Sequence, residues 1–422
     1  MTTFDRAALD ALPIAPGSTG AIRARAFDQF EALPMPSQET EEWRYTDLSG
    51  FAPDFVPHVP GHGDGAPVTD VAGLAGTMLQ HNSSSMMTTS GQDLEAKGVV
   101  FCDLDVAAEK YPELIEAHLH TLVPTERTRF TALHGAFRTG GTFLHVPADV
   151  AVELPLQTLT YLDAEGAAVF PHTLLIAERG AEVTLIDRYT SPDLARALSD
   201  AVVEIVVGDG AHVRYASIQE WGSGVTHLSV QRARVGRDAD FRSLSVGFGA
   251  SLARAEAETI LAEPGGFSEM LGVFFADGDQ HFDHRSVQDH VAPNCTSDLL
   301  YKGALRDASR AVYSGWVHVR PDAQKTIAMQ TSRNIVLSEH AKADAIPNLE
   351  IEANDVRCGH AASVGPVEED MLFYLESRGI PRDEAERLVV TGFFQEVLDR
   401  VTLEGVRHGA ELAIQEELGR LA

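Results

Sequence analysis

Between residues 180 and 360 the chain repeats one local theme, a small-residue turn followed by a short strand-like run. The turns are Gly180-Ala181, Gly210-Ala211, Asp238-Ala239, Gly265-Gly266, Asp307-Ala308, Asp322-Ala323 and His340-Ala341. They follow one another at 30, 28, 27, 42, 15 and 18 residues, close to multiples of about 14 to 15. Stretches 183–187, 202–207, 213–218 and 241–248 carry β-type patterning between them. Such a drifting repeat predicts a solenoid in which each coil contributes two or more strands. Small residues suit its corners, where coils stack closely and some positions need positive φ. A β-sandwich is the competing reading, but its turns fall at shorter intervals of roughly 8 to 12 residues. The spacing favours a mainly β chain built on a parallel β-helix.

Helical periodicity brackets this region. Residues 21–33 have helical spacing ended by Pro34 and Pro36, and 57–67 reads as an exposed loop of Gly, Pro, His and Asp. Stretches 105–122 and 126–138 are helix-like, Arg138-Thr139-Gly140-Gly141 breaks the second, and 142–146 starts the strands. After Gly365 the pattern switches again. Pro366 suits a first helical position, Arg378-Gly379 a stop, and Pro381 opens a second helix. Leu388, Val389, Phe393, Val397 and Leu398 share one broad face of it, and 407–421 is a third candidate. The expected division is a mixed, largely helical region over 1–145, a β-helix over 146–365 and a helical tail over 366–422. The apolar face of that tail either packs on its own domain or meets a partner, with Leu388, Phe393, Phe394 and Val397 as the contact candidates.

The charge balance narrows the function classes. The 422 residues include 33 basic and 62 acidic side chains, a net charge of −29, with no basic run. Phosphates are repelled by such a surface, which argues against nucleic acid and anionic membrane as partners. No apolar stretch reaches the roughly 18 to 20 residues that span a bilayer, and the first residues lack a secretory layout. Three widely spaced cysteines do not make a disulfide framework, so a reducing cytoplasm is expected. Phosphate-loop, dinucleotide, nucleophile-elbow and C-x-x-C motifs are all missing from the sequence.

Two constellations remain. Cys358 and His360 are two apart on a predicted strand, so both point to one face. A protonated imidazole there would lower the thiol pKa and favour the thiolate, a ligand for iron. The same spacing also occurs in purely structural strands. A cluster takes about four protein ligands, so a site on Cys358 and His360 would draw the others from a second chain. His281, His284 and His290 alternate with Asp279, Asp283 and Asp289, fitting either a metal site or a solvated strand edge. Cys295, in the turn-like Pro293-Asn294-Cys295-Thr296-Ser297, reads as packing.

At these residues the sequence resembles the SufB/SufD family of iron–sulfur cluster assembly proteins. The stretches APNCTSDLLYKGAL (292–305), VYSGWVHVRPDAQKTIAMQTSRNIVLSEHAKADAIPNLEIEANDVRCGHAASVG (312–365) and EEDMLFYLESRGIP (368–381) carry most of the likeness. EEWRYTDL (41–48) and GGTFLHVPADVAVELPLQ (140–157) extend it towards the amino end. DVRCGHAASVG is similar to the SufD branch, whose Cys and His fall on Cys358 and His360, and a Glu-rich E-A-T-T-S-type segment of the SufB branch is lacking. His134 stands where many relatives have Asn.

The resemblance implies a right-handed parallel β-helix between helical terminal domains. It implies a complex with SufB, met through the end of the β-helix, and with two copies of the SufC ATPase on the carboxy-terminal helices. Cys358 and His360 would lie at the SufB interface as transient iron or cluster ligands, with no cluster held stably. A reduced flavin is associated with such complexes, and isolated relatives pair with themselves. The expected role is a non-catalytic scaffold subunit. A self-associating structural protein with inert Cys358, and an enzyme of the polysaccharide-lyase type, are the alternatives.

Overall fold

The computed structural model describes residues 3–48, 54–60, 73–401 and 404–419. Residues 61–67 of the expected loop, and 420–421 of the last expected helix, lie outside the described residues.

The chain is mainly β and winds into a parallel solenoid with a few helices. From Thr142–Val146 onwards its long strands alternate between two sheets, and each pairs in parallel with its counterpart one coil later. Register shows the coil length directly. Glu182 pairs with His212, His212 with Asp240, and Asp240 with Phe267, intervals of 30, 28 and 27 residues. The 14-to-15-residue interval in the sequence is therefore half a coil, one strand plus one corner. Corners take the expected backbone: φ is +67° at Gly180, +65° at Gly210, +53° at Asp238, +81° at Gly265 and +57° at Asp307. A Cβ on Gly180 would sit 2.5 Å from Asp149 Oδ1, which would have to move, and the positive φ would strain any side chain placed there. Asp322-Ala323 and His340-Ala341 turn without positive φ, which Asn294 and Lys325 supply nearby.

Interior columns explain why the coils stack. Val183, Val213 and Phe241 are register partners in successive coils and all are buried in one core cluster. Further along the lumen turns polar, with Ser286 Oγ 2.6 Å from Tyr313 Oη and Gln288, Gln330 and Asn334 all buried.

Residues before 142 do more than form helices. The hairpin Gly76–His81 and Ser84–Ser90 joins the second sheet beside Leu156–Tyr161, and Val100–Asp103 joins the first, antiparallel to Thr142–Val146. The helix expected over 105–122 is two, Leu104–Lys110 and Pro112–His118, because Pro112 has no amide to continue the ladder. Thr128 forms a capping box with Thr131, so the next helix starts at Arg129 and runs to Phe137. That helix packs against Thr19–Ala32, and Phe27, Phe30, Phe130 and Phe137 join Phe170 and Leu198 in one cluster.

At the other end, Pro366 closes the last strand instead of opening a helix, and Glu369–Ser377 follows. Helix Arg382–Leu398 lies on the second sheet, where Val390, Phe394, Val397 and Leu398 meet Leu244, Val246, Val273 and Leu300. Lys302 fixes it by donating to Phe393 O at 2.7 Å and pairing with Glu396 at 2.5 Å. Glu404–Gly419 adds Val406, Ala410 and Ile414 to the same cluster. Among the described residues no helix is long and apolar enough to cross a membrane.

Candidate functional site: the open end of the solenoid

The two sheets end on the strands Lys342–Ile351 and Arg357–Pro366. Each pairs on one side only, with Arg310–Val319 and Ile327–Val336 respectively, so among the described residues both outer edges are open. Backbone bonds alternate along such strands. Lys342 N and Glu352 N donate inward to Ser309 O (3.0 Å) and Val319 O (2.8 Å), which turns the odd-numbered residues 343–351 outward. Arg357 N donates inward to Thr326 O at 2.8 Å, which turns the amides and carbonyls of Cys358, His360, Ala362 and Val364 outward.

The two edges are not equivalent. Pro347 falls at an outward position of the first sheet's last strand, where it removes one donor and blunts that edge. The edge bearing Cys358 and His360 has no such guard until Pro366. Trp316, Ile351 and Val364 add exposed apolar surface on these last coils.

Cys358 pairs in register with Ala328 and packs against the cluster of Val317, Val319, Ala323, Ala328 and Ala353. His360, on the same face, is the partner of buried Gln330 and is itself exposed, because no further coil covers it. Neither amide atom of Gln330 has a hydrogen-bond partner. Partial burial pushes the Cys358 thiol up, opposed only by a hydrogen bond from the Ala328 backbone. The expected lowering by the imidazole is therefore not found. A metal that bound such a thiol would have to displace its proton.

The other cysteines stay apart. Cys295 is buried at a corner with Sγ 3.4 Å from Glu263 O, and Cys102 lies on Val100–Asp103 near the amino-terminal end, its thiol pushed up to about 11 by burial.

The His–Asp constellation is neither a metal cluster nor a strand edge. Strand His281–His290 sits inside the first sheet, and its side chains alternate between lumen and outer face. His284 stacks on Phe274 at 4.6 Å and His290 bonds to Ser297 Oγ at 2.8 Å. On the outer face Asp283 pairs with Arg254, and Asp289 holds Arg320 by two 3.0 Å bonds. Asp279 lies in the turn before the strand.

The expected contact residues on the tail divide between two environments. Phe394 and Val397 are fully buried against the chain's own solenoid, which removes them from contact with a partner. Leu388 is exposed and Phe393 partly so. With Met371 and Tyr374 they line an apolar groove of about 760 Å³ between helices Glu369–Ser377 and Arg382–Leu398. One polar group escaped the sequence entirely: buried His120, His172 and Glu204 converge although 52 and 32 residues separate them.

Fold and rim together define a β-solenoid protein with one uncapped end that presents a thiol and an imidazole. Comparison with known proteins agrees. The family model described as "SUF system FeS cluster assembly, SufBD core domain" matches residues 160–393, and "SufBD protein N-terminal region" matches residues 18–158. The iron–sulfur cluster assembly protein SufD of Bacillus subtilis is 32% identical over 92% of this chain and 91% of its own. An iron–sulfur cluster assembly SufBD family protein of Mycobacterium tuberculosis is 33% identical over 96% of both chains. The chain belongs to the SufBD family of iron–sulfur cluster assembly proteins and is SufD-like.

Proposed function

We propose that this protein is a non-catalytic scaffold subunit of a cytoplasmic SufB–SufC–SufD complex, with its open solenoid end joined to SufB. The observation that carries the reading is the unguarded edge of Arg357–Pro366, which sets four outward backbone positions beside Cys358 and His360. A neighbouring strand would satisfy those groups and bring further ligands to the lumen side of the same residues. Cys358 and His360 then receive iron or hold the nascent cluster, which is the cargo of the assembly and is not kept. In the same reading the solenoid is a right-handed β-helix over 146–365 between terminal domains 1–145 and 366–422. SufC docks on the carboxy-terminal helices, and the groove of Met371, Tyr374, Leu388 and Phe393 gives it an apolar seat. Without SufB, the open edge supports self-pairing of the chain.

The reduced flavin expected with the complex is given no residue of this chain. The cleft of about 490 Å³ on the first sheet is bordered by Glu41, Glu42, Glu256 and Glu258 and equally by Arg44, Arg127, Arg232 and Arg285, a balanced set that does not single out a phosphate-bearing cofactor.

The test is anaerobic purification of the chain co-expressed with SufB and SufC, with iron and sulfide measured. His360→Ala leaves assembly intact and lowers iron or sulfide content. Unchanged loading removes His360 from the mechanism, and failure to co-purify with SufB removes the complex.

A further inference from the structure

The segment between helices Pro112–His118 and Arg129–Phe137 is held to the first sheet by a buried polar group. Glu204 Oε2 accepts from His120 N at 2.7 Å, and Oε1 accepts from Leu122 N and Val123 N at 2.8 and 3.0 Å. Around it stand His120, His134 and His172, with ring centroids 5.0 to 5.9 Å apart. His120 is 8% exposed, His172 1%, and His134 and Glu204 not at all.

Hydrogen-bond logic fixes where the protons are. His134 Nδ1 lies 2.8 Å from Asp200 O, a carbonyl that only accepts, so Nδ1 carries the hydrogen. Buried beside one another, the three rings disfavour a charge, and in the neutral form each carries a single hydrogen. His134 Nε2 is then a bare acceptor, and His172 Nδ1, 3.0 Å away, must donate to it. That leaves His172 Nε2 without a hydrogen, 3.2 Å from Glu204 Oε2 and without a hydrogen-bond partner. His120 Nδ1 lies 3.2 Å from Val123 O, so it donates there, and His120 Nε2 is likewise bare and unpartnered.

Two buried imidazole lone pairs and a carboxylate oxygen thus face one another within 4.8 Å with nothing positive between them. This arrangement costs free energy unless a cation fills it. A proton on Glu204 would answer His172 but leave His120 orphaned. The donors are those of a borderline divalent ion, and the 3.2 Å His172–Glu204 separation is close to the roughly 3.3 Å edge of a tetrahedron with zinc-to-ligand bonds of 2.0 to 2.2 Å. Both imidazoles already direct their other N–H to an acceptor, as metal-bound histidines do.

We propose that His120 Nε2, His172 Nε2 and Glu204 Oε2 hold a zinc-class divalent ion that clamps the amino-terminal layer onto the solenoid. His134 positions His172 from outside the coordination shell. This site lies apart from Cys358 and His360 and does not depend on the role proposed for them.

The full-length chain, purified without a histidine tag and stripped with chelator, is titrated with Zn²⁺ against a chromophoric competitor and separately with Co²⁺. One ion per chain, visible Co²⁺ bands of a four-coordinate site, and a raised unfolding temperature with Zn²⁺ are expected. His120→Gln and His172→Gln lower zinc occupancy at least about tenfold, whereas Cys358→Ser leaves it unchanged. If those histidine variants fail to fold, the Co²⁺ spectrum of the wild type still decides. No binding to folded wild type, with a proton or buried water filling the site, overturns the proposal. Stoichiometric binding that survives both histidine substitutions overturns it equally.

Discussion

Ala362→Pro probes the open edge while leaving the rest of the coil alone. The Ala362 amide points outward, in step with Cys358, His360 and Val364, and the side chain is exposed. In the isolated chain proline there removes only a solvated N–H, so stability stays within about 0.5 kcal/mol of wild type. Pro347 shows that the neighbouring edge already tolerates a proline at an outward position. In a complex joined through this edge, the variant loses one inter-chain hydrogen bond, about 1 kcal/mol. Its ring also intrudes on a strand that would lie roughly 4.8 Å away. Together these exceed about 1.4 kcal/mol, so affinity for SufB falls at least tenfold. Ala361→Pro is the contrast: its amide faces Ile327–Val336, so the loss falls on the folded chain, at roughly 1–3 kcal/mol. Pull-down on a SufB tag reads the first effect and urea unfolding the second. Ala362→Pro that folds and assembles like wild type would refute edge pairing.

Phe394→Ala is expected to cost about 3 to 5 kcal/mol, because a fully buried ring leaves a cavity between helix Arg382–Leu398 and the second sheet. Urea unfolding measures it, and a loss under about 1 kcal/mol would mean that the helix is not docked as described. His284, fully buried against Phe274, is pushed down to about 4 by burial from an ordinary value of 6.5. Folding favours its neutral form, so this stabilisation is complete above pH 6.5 and is lost as pH falls from 6.5 to 4, roughly 3 kcal/mol in all. His284→Phe should flatten that part of the pH–stability curve, and an unaltered slope would place the titration elsewhere.

Corners were the legible part of the fold. Gly180, Gly210, Asp238, Gly265 and Asp307 mark them because positive φ restricts residue choice, so chemistry and position coincide. Coil length was not legible in the 14-to-15-residue interval alone, because one sheet-to-sheet step looks like a repeat when both strands have similar patterning. The hairpin of Gly76–His81 and Ser84–Ser90 went unseen. All six residues of GTMLQH are buried, three of them polar, so the strand lacks the alternation that betrays one solvated face. His281–His290 is likewise an interior strand, with His284 and His290 on the lumen face and His281, Asp283 and Asp289 on the other, so the cluster suggested by spacing is divided between two faces. Cys358 and His360 were legible as a same-face pair, but the thiol's direction of shift was not, since burial in a strand with one open edge leaves no trace in spacing. The His120–His172–Glu204 group depends wholly on long-range packing.

Amide hydrogen exchange at Cys358, His360, Ala362 and Val364 bears most directly on the rim, compared between the monomeric chain at high dilution and the co-expressed complex. Rapid exchange alone and strong protection in the complex is the expected pair of results. Equal exchange in both states would contradict a role for this edge in joining the subunits.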